Sequence, residues 1–177
     1  MRPFHLRGIA YLGGMTQALT LRHATLADLA AVDDLLGRCY PRLLAKDYPP
    51  SIMVMAVPLL TRARPELLAS GRYHLAVDES GRVVGAGGWS GRGQGWAQVR
   101  HVATDPGHLR RGIGRRLMQR VLTEAAGQGV TQIECLSTLT AVPFYTALGF
   151  AVLGPVEIGL RPGITFPAVR MLRQNKE

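Results

Sequence analysis

The stretch Val102–Met118, VATDPGHLRRGIGRRLM, decides how this chain of 177 residues is interpreted. It begins inside a β-type run, 96–104, and continues through the turn signal Asp-Pro-Gly at 105–107. Apolar side chains then recur at the spacing of one helix face: Ile113, Leu117 and Val121. The stretch therefore predicts a strand, a glycine-containing loop and the N-terminus of a helix.

That arrangement favours an anion site. The first turn of a helix has unpaired N–H groups and a partial positive charge. Gly112 and Gly114 have no Cβ, so a ligand can approach the backbone closely. Further positive charge comes from Arg110, Arg111, Arg115 and Arg116. Neither a P-loop G-x-x-x-x-G-K-[ST] nor a G-x-G-x-x-G with its downstream acid is present, so both nucleotide motifs are excluded. The alternative is a basic helix start that is merely solvated.

The amino-acid composition limits the kinds of ligand or partner that the chain can bind. The net charge of +9 indicates an anionic partner, and 47% hydrophobic residues fit a globular protein. Five arginines lie within 110–120 and no acid lies within 106–123, which suits a compact polyanion better than a long one. No apolar run is long enough to span a membrane. The two cysteines, Cys39 and Cys135, form neither a disulfide framework nor a metal site, and reduced thiols fit the cytoplasm.

The chain is predicted to form one domain over 15–177. A basic lead at 1–14 is expected to be disordered or an artefact of the start site, since Met15 is an alternative start. The predicted strands are 18–22, 73–77, 83–89, 96–104, 131–136, one from Phe150, and 168–172. The predicted helices are 26–38, 112–127 and 141–148, with short proline-broken helical pieces over 40–70. We expect flexible or irregular connections at 91–95 and 156–166.

Two motifs resemble one family. Arg110-Arg111-Gly112-Ile113-Gly114 after a strand resembles the acetyl-CoA pyrophosphate loop, [QR]-x-x-G-x-[GA], of the GNAT acyltransferase superfamily; Leu109 departs from its first position. The segment 141–150 resembles the family's A-x-x-F-Y-x-x-L-G-F helix. The resemblance covers about 18–173. It implies an α/β (α+β) GNAT fold: a mixed sheet of about six or seven strands with about four helices, splayed between strands 4 and 5.

The resemblance implies an acetyl-CoA-dependent N-acetyltransferase. Its acceptor would be a primary amine, of a small molecule or a protein, that attacks the thioester directly. Tyr145 falls on the family's tyrosine that protonates the sulfur, and a phenol with a pKa of about 10 can donate at neutral pH. The implied cofactor-binding residues are Val102, Ala103, Thr104, Arg110, Arg111, Gly112, Ile113, Gly114, Arg115, Thr138 and Phe144.

The general base is left open. Some family members use a glutamate on the fourth strand, where this chain has Gln98, and an amide does not serve as a base. By alternation His101 lies on the opposite face of that strand, and His74 and Glu134 lie on neighbouring strands. For each of these three a structural role is the simpler interpretation. Thr138 replaces an asparagine found in many members.

Two other functions remain open from the sequence. One is an acyl-CoA sensor without catalysis, which the absent glutamate permits. The other is a basic nucleic-acid-binding domain, although no helix-turn-helix, zinc finger or RNP motif supports it. We expect no metal, no nucleic acid and no membrane partner, and a homodimer is compatible with the family. The acceptor amine is not readable from the sequence.

Overall fold

The computed structural model describes residues 18–175, so the predicted lead at 1–14 lies outside it. Seven strands form one mixed sheet in the order β1-β2-β3-β4-β5-β7-β6. Their bounds are β1 Thr20–His23, β2 Tyr73–Val77, β3 Val83–Gly93, β4 Trp96–Thr104, β5 Gln132–Ser137, β6 Ala151–Arg161 and β7 Ile164–Gln174. Neighbouring strands are antiparallel except β4 and β5, which are parallel. The predicted class and strand number are confirmed.

Helices connect the strands in the predicted order. They are α1 Leu29–Leu44, α2 Pro50–Met55, α3 Val57–Leu60, α4 Pro65–Leu68, α5 Ile113–Gly127 and α6 Val142–Ala147, with 3₁₀ turns at Leu26–Asp28, Pro106–His108 and Leu139–Ala141. The turn before α1 has a capping box, in which the Asp28 carboxylate accepts from the Thr25 N–H at 2.8 Å. Within residues 18–175 no helix is both long and apolar enough to cross a membrane.

Helix α1 is longer than the sequence predicts. The predicted end at residue 38 is wrong, because α1 continues through Pro41 to Leu44. Proline removes one backbone hydrogen bond, which ordinarily breaks a helix. Here the last turn is held by packing, since Leu44 is buried with Tyr48 and Phe166. The longer helix brings Tyr40 and Leu43 to the site described below.

Two segments expected to be irregular belong to hairpins. Within 91–95, Gly91 and Gly93 pair with Ala97 and Trp96, so only Gln94 and Gly95 form the turn. Most of 156–166 lies in the long β6–β7 hairpin. Glycine-rich and proline-containing segments form strands here because their backbone groups find partners on β4 and β7.

The helices cover the two faces of the sheet. Val32, Leu35 and Leu36 of α1 pack against Tyr73 and Leu75 of β2. The opposite face is covered by α5 and α6, with buried side chains that include Met118, Val121, Ala125 and Tyr145. Because successive residues of a regular strand point to opposite faces, the sheet has an α1 side and an α5 side, and alternate side chains of each strand lie on one or the other.

The parallel pair β4–β5 separates early. Its pairing covers only Trp96–Gln98 with Gln132–Glu134, although β4 continues to Thr104 and β5 to Ser137. From Val99 onward the edge of β4 that faces β5 therefore has no strand partner. The predicted splay between strands 4 and 5 is confirmed, and it opens a gap through the middle of the sheet.

Candidate active site

A cavity of about 320 Å³ occupies the gap between β4 and β5. Three elements besides the two strands contribute walls: α1 on one face, and the start of α5 and the α6 region on the other. Its lining is mainly apolar, with hydroxyl groups where β5 ends. The lining side chains from α1 are Tyr40, Leu43 and Leu44, and those from the α6 region include Thr138, Ala141, Phe144 and Tyr145. The cavity therefore passes from one face of the sheet towards the other.

A second cavity of about 300 Å³ adjoins it at the N-terminus of α5. Both are lined by Thr104, Leu109, Gly114 and Phe144, so the two form one continuous groove. The outer part carries the charge, because Arg110 and Arg115 line it. A groove with a cationic outer end and an apolar inner end fits a ligand with an anionic group on a long, uncharged arm.

Backbone conformation shapes the cationic end. The first hydrogen bond of α5 runs from the Arg116 N–H to the Gly112 carbonyl at 3.0 Å, so the N–H groups of Ile113, Gly114 and Arg115 have no acceptor within the helix. Gly112 precedes them in the left-handed region at φ 74°, and Arg110 also has a positive φ, 60°. Such turns direct successive N–H groups into one concavity, which binds anions. The sequence predicts the glycines but not the left-handed Arg110.

The structure brings nearly all of the predicted cofactor residues to this groove. Val102, Ala103, Thr104, Thr138 and Phe144 line the inner cavity, while Arg110, Gly112, Ile113 and Arg115 line the outer one and Gly114 lines both. Arg111 lines neither. Leu109, which departs from the family pattern, lines both cavities as an apolar wall. Thr138 accepts a hydrogen bond from the Ala141 N–H at 3.2 Å, so its hydroxyl also starts the turn before α6.

Tyr145 lies at the inner end of the groove. Its residue surface is only 6% exposed, and its ring meets Phe144 and Phe150 edge-on at 5.1 and 5.4 Å. Burial raises the pKa of Tyr145 well above its ordinary value, and its neighbour Cys135 acts in the same direction. The hydroxyl therefore keeps its proton across the physiological range, and both Tyr145 and Cys135 line the cavity.

Gln98 does not face the cavity as a free group. It is 4% exposed, and its amide oxygen accepts from Arg92 at 2.8 Å and from Arg100 at 3.1 Å. Its amide nitrogen donates to Glu134 at 3.0 Å, and Glu134 also accepts from Arg170 at 2.5 Å. Neither side chain lines the inner cavity. Within residues 18–175, that cavity has no carboxylate in its walls.

His101 reaches the cavity because β4 has a bulge. The register between β3 and β4 shifts between Ala86 and Gly88, and His101 has a φ of 46°. Simple alternation therefore does not determine its direction, and His101 lines the inner cavity. Burial, and then the positive charges of Arg100 and Arg64, lower the pKa of His101 to about 4. The imidazole is neutral at pH 7.

The low pKa of His101 predicts pH-dependent stability. The unfolded chain takes up a proton near pH 6.5, whereas the folded chain resists it until about pH 4. The stabilisation is thus complete above about pH 6.5 and is lost as the pH falls towards 4, up to about 3 kcal/mol. Asparagine does not titrate and tolerates a positive φ. In urea unfolding at about pH 7, 6 and 5, we therefore expect the free energy of unfolding of His101→Asn to fall less with decreasing pH than that of the parent. Equal pH slopes in both proteins would contradict this.

Several residues that line the cavity were not predicted from the sequence. Because Pro41 indicated that α1 ends before its last turn, the sequence did not place Tyr40, Leu43 and Leu44 on this helix. The apolar spacing from Leu36 to Tyr40 and Leu44 was the available signal. Cys135 and Ser137 also line the cavity, because they lie on β5 beyond the point where its pairing with β4 ends.

His74 has a structural role away from the groove. It is buried, and its Nε2 shares a hydrogen bond with Glu124 of α5, which fastens that helix to β2. Burial lowers the pKa of His74, although Glu124 opposes that effect. The His23 ring lies beside it at a tilt of 49°, and the ligand atoms of His23, His74 and Glu124 lie within 4.8 Å of one another. The expectation that the chain binds no metal stays a prediction.

Fold and groove together define an acyltransferase of the splayed-sheet type. The family model described as "Acetyltransferase (GNAT) domain" matches residues 56–171. This chain belongs to the GNAT acetyltransferase family. The predicted family and the predicted enzyme class are confirmed. No curated protein sequence matches the chain.

Solved structures show the same fold at low identity. A GCN5-related N-acetyltransferase from Rhodopseudomonas palustris is 18% identical with a TM-score of 0.76, over 92% of this chain and 99% of the other. The PaiA N-acetyltransferase from Thermoplasma acidophilum, in complex with coenzyme A, is 13% identical with a TM-score of 0.70, over 89% and 99%. A phosphinothricin acetyltransferase from Sinorhizobium meliloti, in complex with acetyl-CoA, is 22% identical with a TM-score of 0.60, over 89% and 88%.

Proposed function

We propose that this chain is an acetyl-CoA-dependent N-acetyltransferase, which transfers an acetyl group to a primary amine by direct attack on the thioester. The observation that carries the proposal is the continuous groove from the N-terminus of α5 to Tyr145. Its cationic end suits a pyrophosphate, and its apolar end reaches a buried proton donor. Two neighbours of the same fold hold coenzyme A or acetyl-CoA.

The fit of the cofactor rests on the space at Gly114. A Cβ placed there would lie 3.2 Å from the Phe144 ring and 3.4 Å from the Thr104 hydroxyl, so glycine keeps the passage open. The N–H groups at the start of α5, with Arg110 and Arg115, would hold the pyrophosphate. The unpaired edge of β4 over 99–104 would pair with the pantetheine arm, as an added strand does.

The inner cavity supplies two further elements of acyl transfer. A backbone N–H on the free edge of β4 would stabilise the charge that develops on the thioester oxygen. The Tyr145 hydroxyl would donate its proton to the departing thiolate of coenzyme A. Both groups are held by secondary structure and packing, so they need little rearrangement when the substrates bind.

The acceptor must arrive as a neutral amine. Because no carboxylate lines the inner cavity within residues 18–175, and the lowered pKa of His101 makes it a weak base, the proton of the ammonium form would leave through water. His101 is neutral at pH 7 and so does not repel an approaching cation. A small molecule or a protein can supply the amine, and we propose that the reaction takes place in the cytoplasm.

Isothermal titration calorimetry of acetyl-CoA against the purified chain tests the proposal. We expect binding at a ratio of about one to one with a low-micromolar Kd, which corresponds to about −8 kcal/mol. ATP, which has no pantetheine arm, is the control for recognition of that arm, and dephospho-CoA is the control for recognition of the 3′-phosphate. A folded protein that does not bind acetyl-CoA at about 1 mM would contradict the cofactor site.

A screen of amines, with release of free coenzyme A measured by a thiol reagent, then separates transfer from sensing. Turnover of any amine excludes the acyl-CoA sensor. Binding of acetyl-CoA without turnover of any amine would favour the sensor. A steep salt dependence of RNA or DNA binding at micromolar protein would instead favour the nucleic-acid alternative.

A further inference from the structure

An arginine cluster lies on the α1 side of the sheet, where β4 and β5 part. We define it as Arg64, Arg92 and Arg100. Arg92 and Arg100 donate to the same atom, Oε1 of Gln98, at 2.8 and 3.1 Å. Arg64 precedes α4 and lies close enough to lower, together with Arg92, the pKa of Arg100. Two guanidinium groups therefore share one neutral amide oxygen, and a third lies near them.

Carboxylates of residues 18–175 do not balance the positive charge of the cluster. Two carboxylates are near: Glu134, which binds Arg170 at 2.5 Å and lies 3.8 Å from Arg92, and Glu66, which is 3.8 Å from Arg64. Four arginines thus face two carboxylates. Arg100 is the most enclosed of the cluster, and burial is the first cause of its lowered pKa. A partly buried cation beside two other cations is unfavourable unless an anion joins it.

The residue at position 98 explains the imbalance. A carboxylate there would accept from Arg92 and Arg100 and neutralise one of them, but Gln98 offers only a neutral oxygen. The substitution that removes a candidate base thus leaves the cluster short of one negative charge. A ligand can supply that charge, since guanidinium groups bind carboxylates and phosphates with two parallel hydrogen bonds.

The cluster adjoins the inner cavity. Arg100 directly precedes His101, which lines that cavity and whose pKa is lowered by burial and then by Arg100 and Arg64. On its other side lies a third cavity of about 310 Å³, lined by Arg92, Gly93, Gln94, Trp96, Glu134 and Arg170. The cluster therefore lies beside His101, at the wall of the inner cavity, and Arg92 also lines the third cavity.

We infer that the acceptor amine is a small molecule with a second, anionic group, a carboxylate or a phosphate, and that this group binds the arginine cluster. The inference rests on the proposed function, because it names the substrate of that site. It also separates the two anion sites: the N-terminus of α5 for the pyrophosphate, and the cluster for the acceptor.

Matched pairs of amines test the inference by binding. β-Alanine with β-alaninamide, 4-aminobutyrate with 4-aminobutanamide, and O-phosphoethanolamine with ethanolamine share a primary amine, and only the first member of each pair carries an anionic group. Each is titrated calorimetrically into protein saturated with coenzyme A, so that the loop at α5 is occupied. We expect the acidic member of at least one pair to bind about 10- to 100-fold more tightly, the range for hydrogen bonds to a charged group. The phosphate and carboxylate pairs distinguish the two anions.

Substitutions assign the effect to the cluster. Arg100→Gln should remove the preference for the acidic member without loss of melting temperature, and Arg92→Gln, at a side chain 53% exposed, is the second variant should the first fold poorly. Arg120→Gln, an exposed arginine on α5, carries the same charge change and should keep the preference. Equal or absent binding of the acidic member in every pair, or an unchanged preference in both cluster variants, overturns the inference.

Turnover of the same pairs keeps the two proposals apart. If acidic amines bind through the cluster but none is acetylated, the anion site stands and the proposed transfer is wrong. If the neutral members are acetylated with kcat/KM values equal to those of the acidic ones, transfer stands and the anion site is wrong. If the acidic members are preferred and Arg100→Gln abolishes that preference, both are supported.

Discussion

Tyr145→Phe is expected to lower kcat by about 100-fold or more, within the range typical of general acid–base catalysis. Protonation of the departing thiolate of coenzyme A favours its release, and Tyr145 lines the inner cavity with its proton retained. Phenylalanine keeps the ring contacts with Phe144 and Phe150, so the Kd for acetyl-CoA should change by less than about twofold. Steady-state kinetics with thiol detection give kcat, and calorimetry gives the Kd.

Tyr48→Phe provides the matched control. The Tyr48 hydroxyl donates to the Pro167 carbonyl at 2.9 Å and accepts from the Leu139 N–H at 2.8 Å, and Tyr48 does not line the groove. Its loss leaves both backbone groups without that partner, so the free energy of unfolding should fall by about 1–3 kcal/mol with kcat retained. A Tyr145→Phe variant with the parent's kcat would remove the acid assignment and leave the fold assignment intact.

The half of the groove that we propose binds the cofactor was predictable in position because it is local. Gly112, Gly114 and Arg110 lie within a few residues of one another, and the start of α5 provides their common geometry. A phosphate-binding turn needs only a strand, a short loop and a helix start, all of which leave a pattern in consecutive residues. The predicted residues from 102 to 115 accordingly line the groove, apart from Arg111.

The acceptor half is assembled from distant segments, and its sequence signals are weak. Tyr40 belongs to a helix turn that contains Pro41, and a proline inside a helix removes a backbone hydrogen bond. Packing of Leu44 against Phe166 outweighs the cost of that lost bond. His101 faces the cavity because of a bulge, and an alternating pattern contains no sign of the inserted residue. In the arginine cluster, pairing of β3 with β4 brings Arg92 and Arg100 together, and Arg64 comes from the segment before α4. No sequence spacing predicts this arrangement.

Gln98 stands where some family members have a glutamate. From the sequence alone, the lack of that base fits a sensor as well as a slow enzyme. In the structure it is the shared acceptor of Arg92 and Arg100, and so the reason why the cluster lacks one negative charge. Glutamine at position 98 therefore bears on how the acceptor amine loses its proton and on whether the acceptor has a second, anionic group.

Gly114→Val is expected to weaken binding of acetyl-CoA by about 100-fold, or about 2.7 kcal/mol. Gly114 lines both parts of the groove, and its Cβ would already lie 3.2 Å from the Phe144 ring. The two methyl groups of valine would project further into the passage between pyrophosphate and thioester. Gly114→Ala should give a smaller loss, because the Phe144 ring needs to move by only a few tenths of an ångström.

Gly127→Val controls for the substitution itself, because Gly127 ends the same helix and a Cβ there would meet nothing within 4 Å. Neither position has a positive φ, so backbone strain does not distinguish the two variants. Calorimetry with acetyl-CoA should then show parent-like affinity for Gly127→Val, intermediate affinity for Gly114→Ala and the weakest for Gly114→Val. If a folded Gly114→Val binds acetyl-CoA as the parent does, the cofactor does not pass through this groove, and the roles argued for Arg110, Thr104 and Tyr145 lose their common basis.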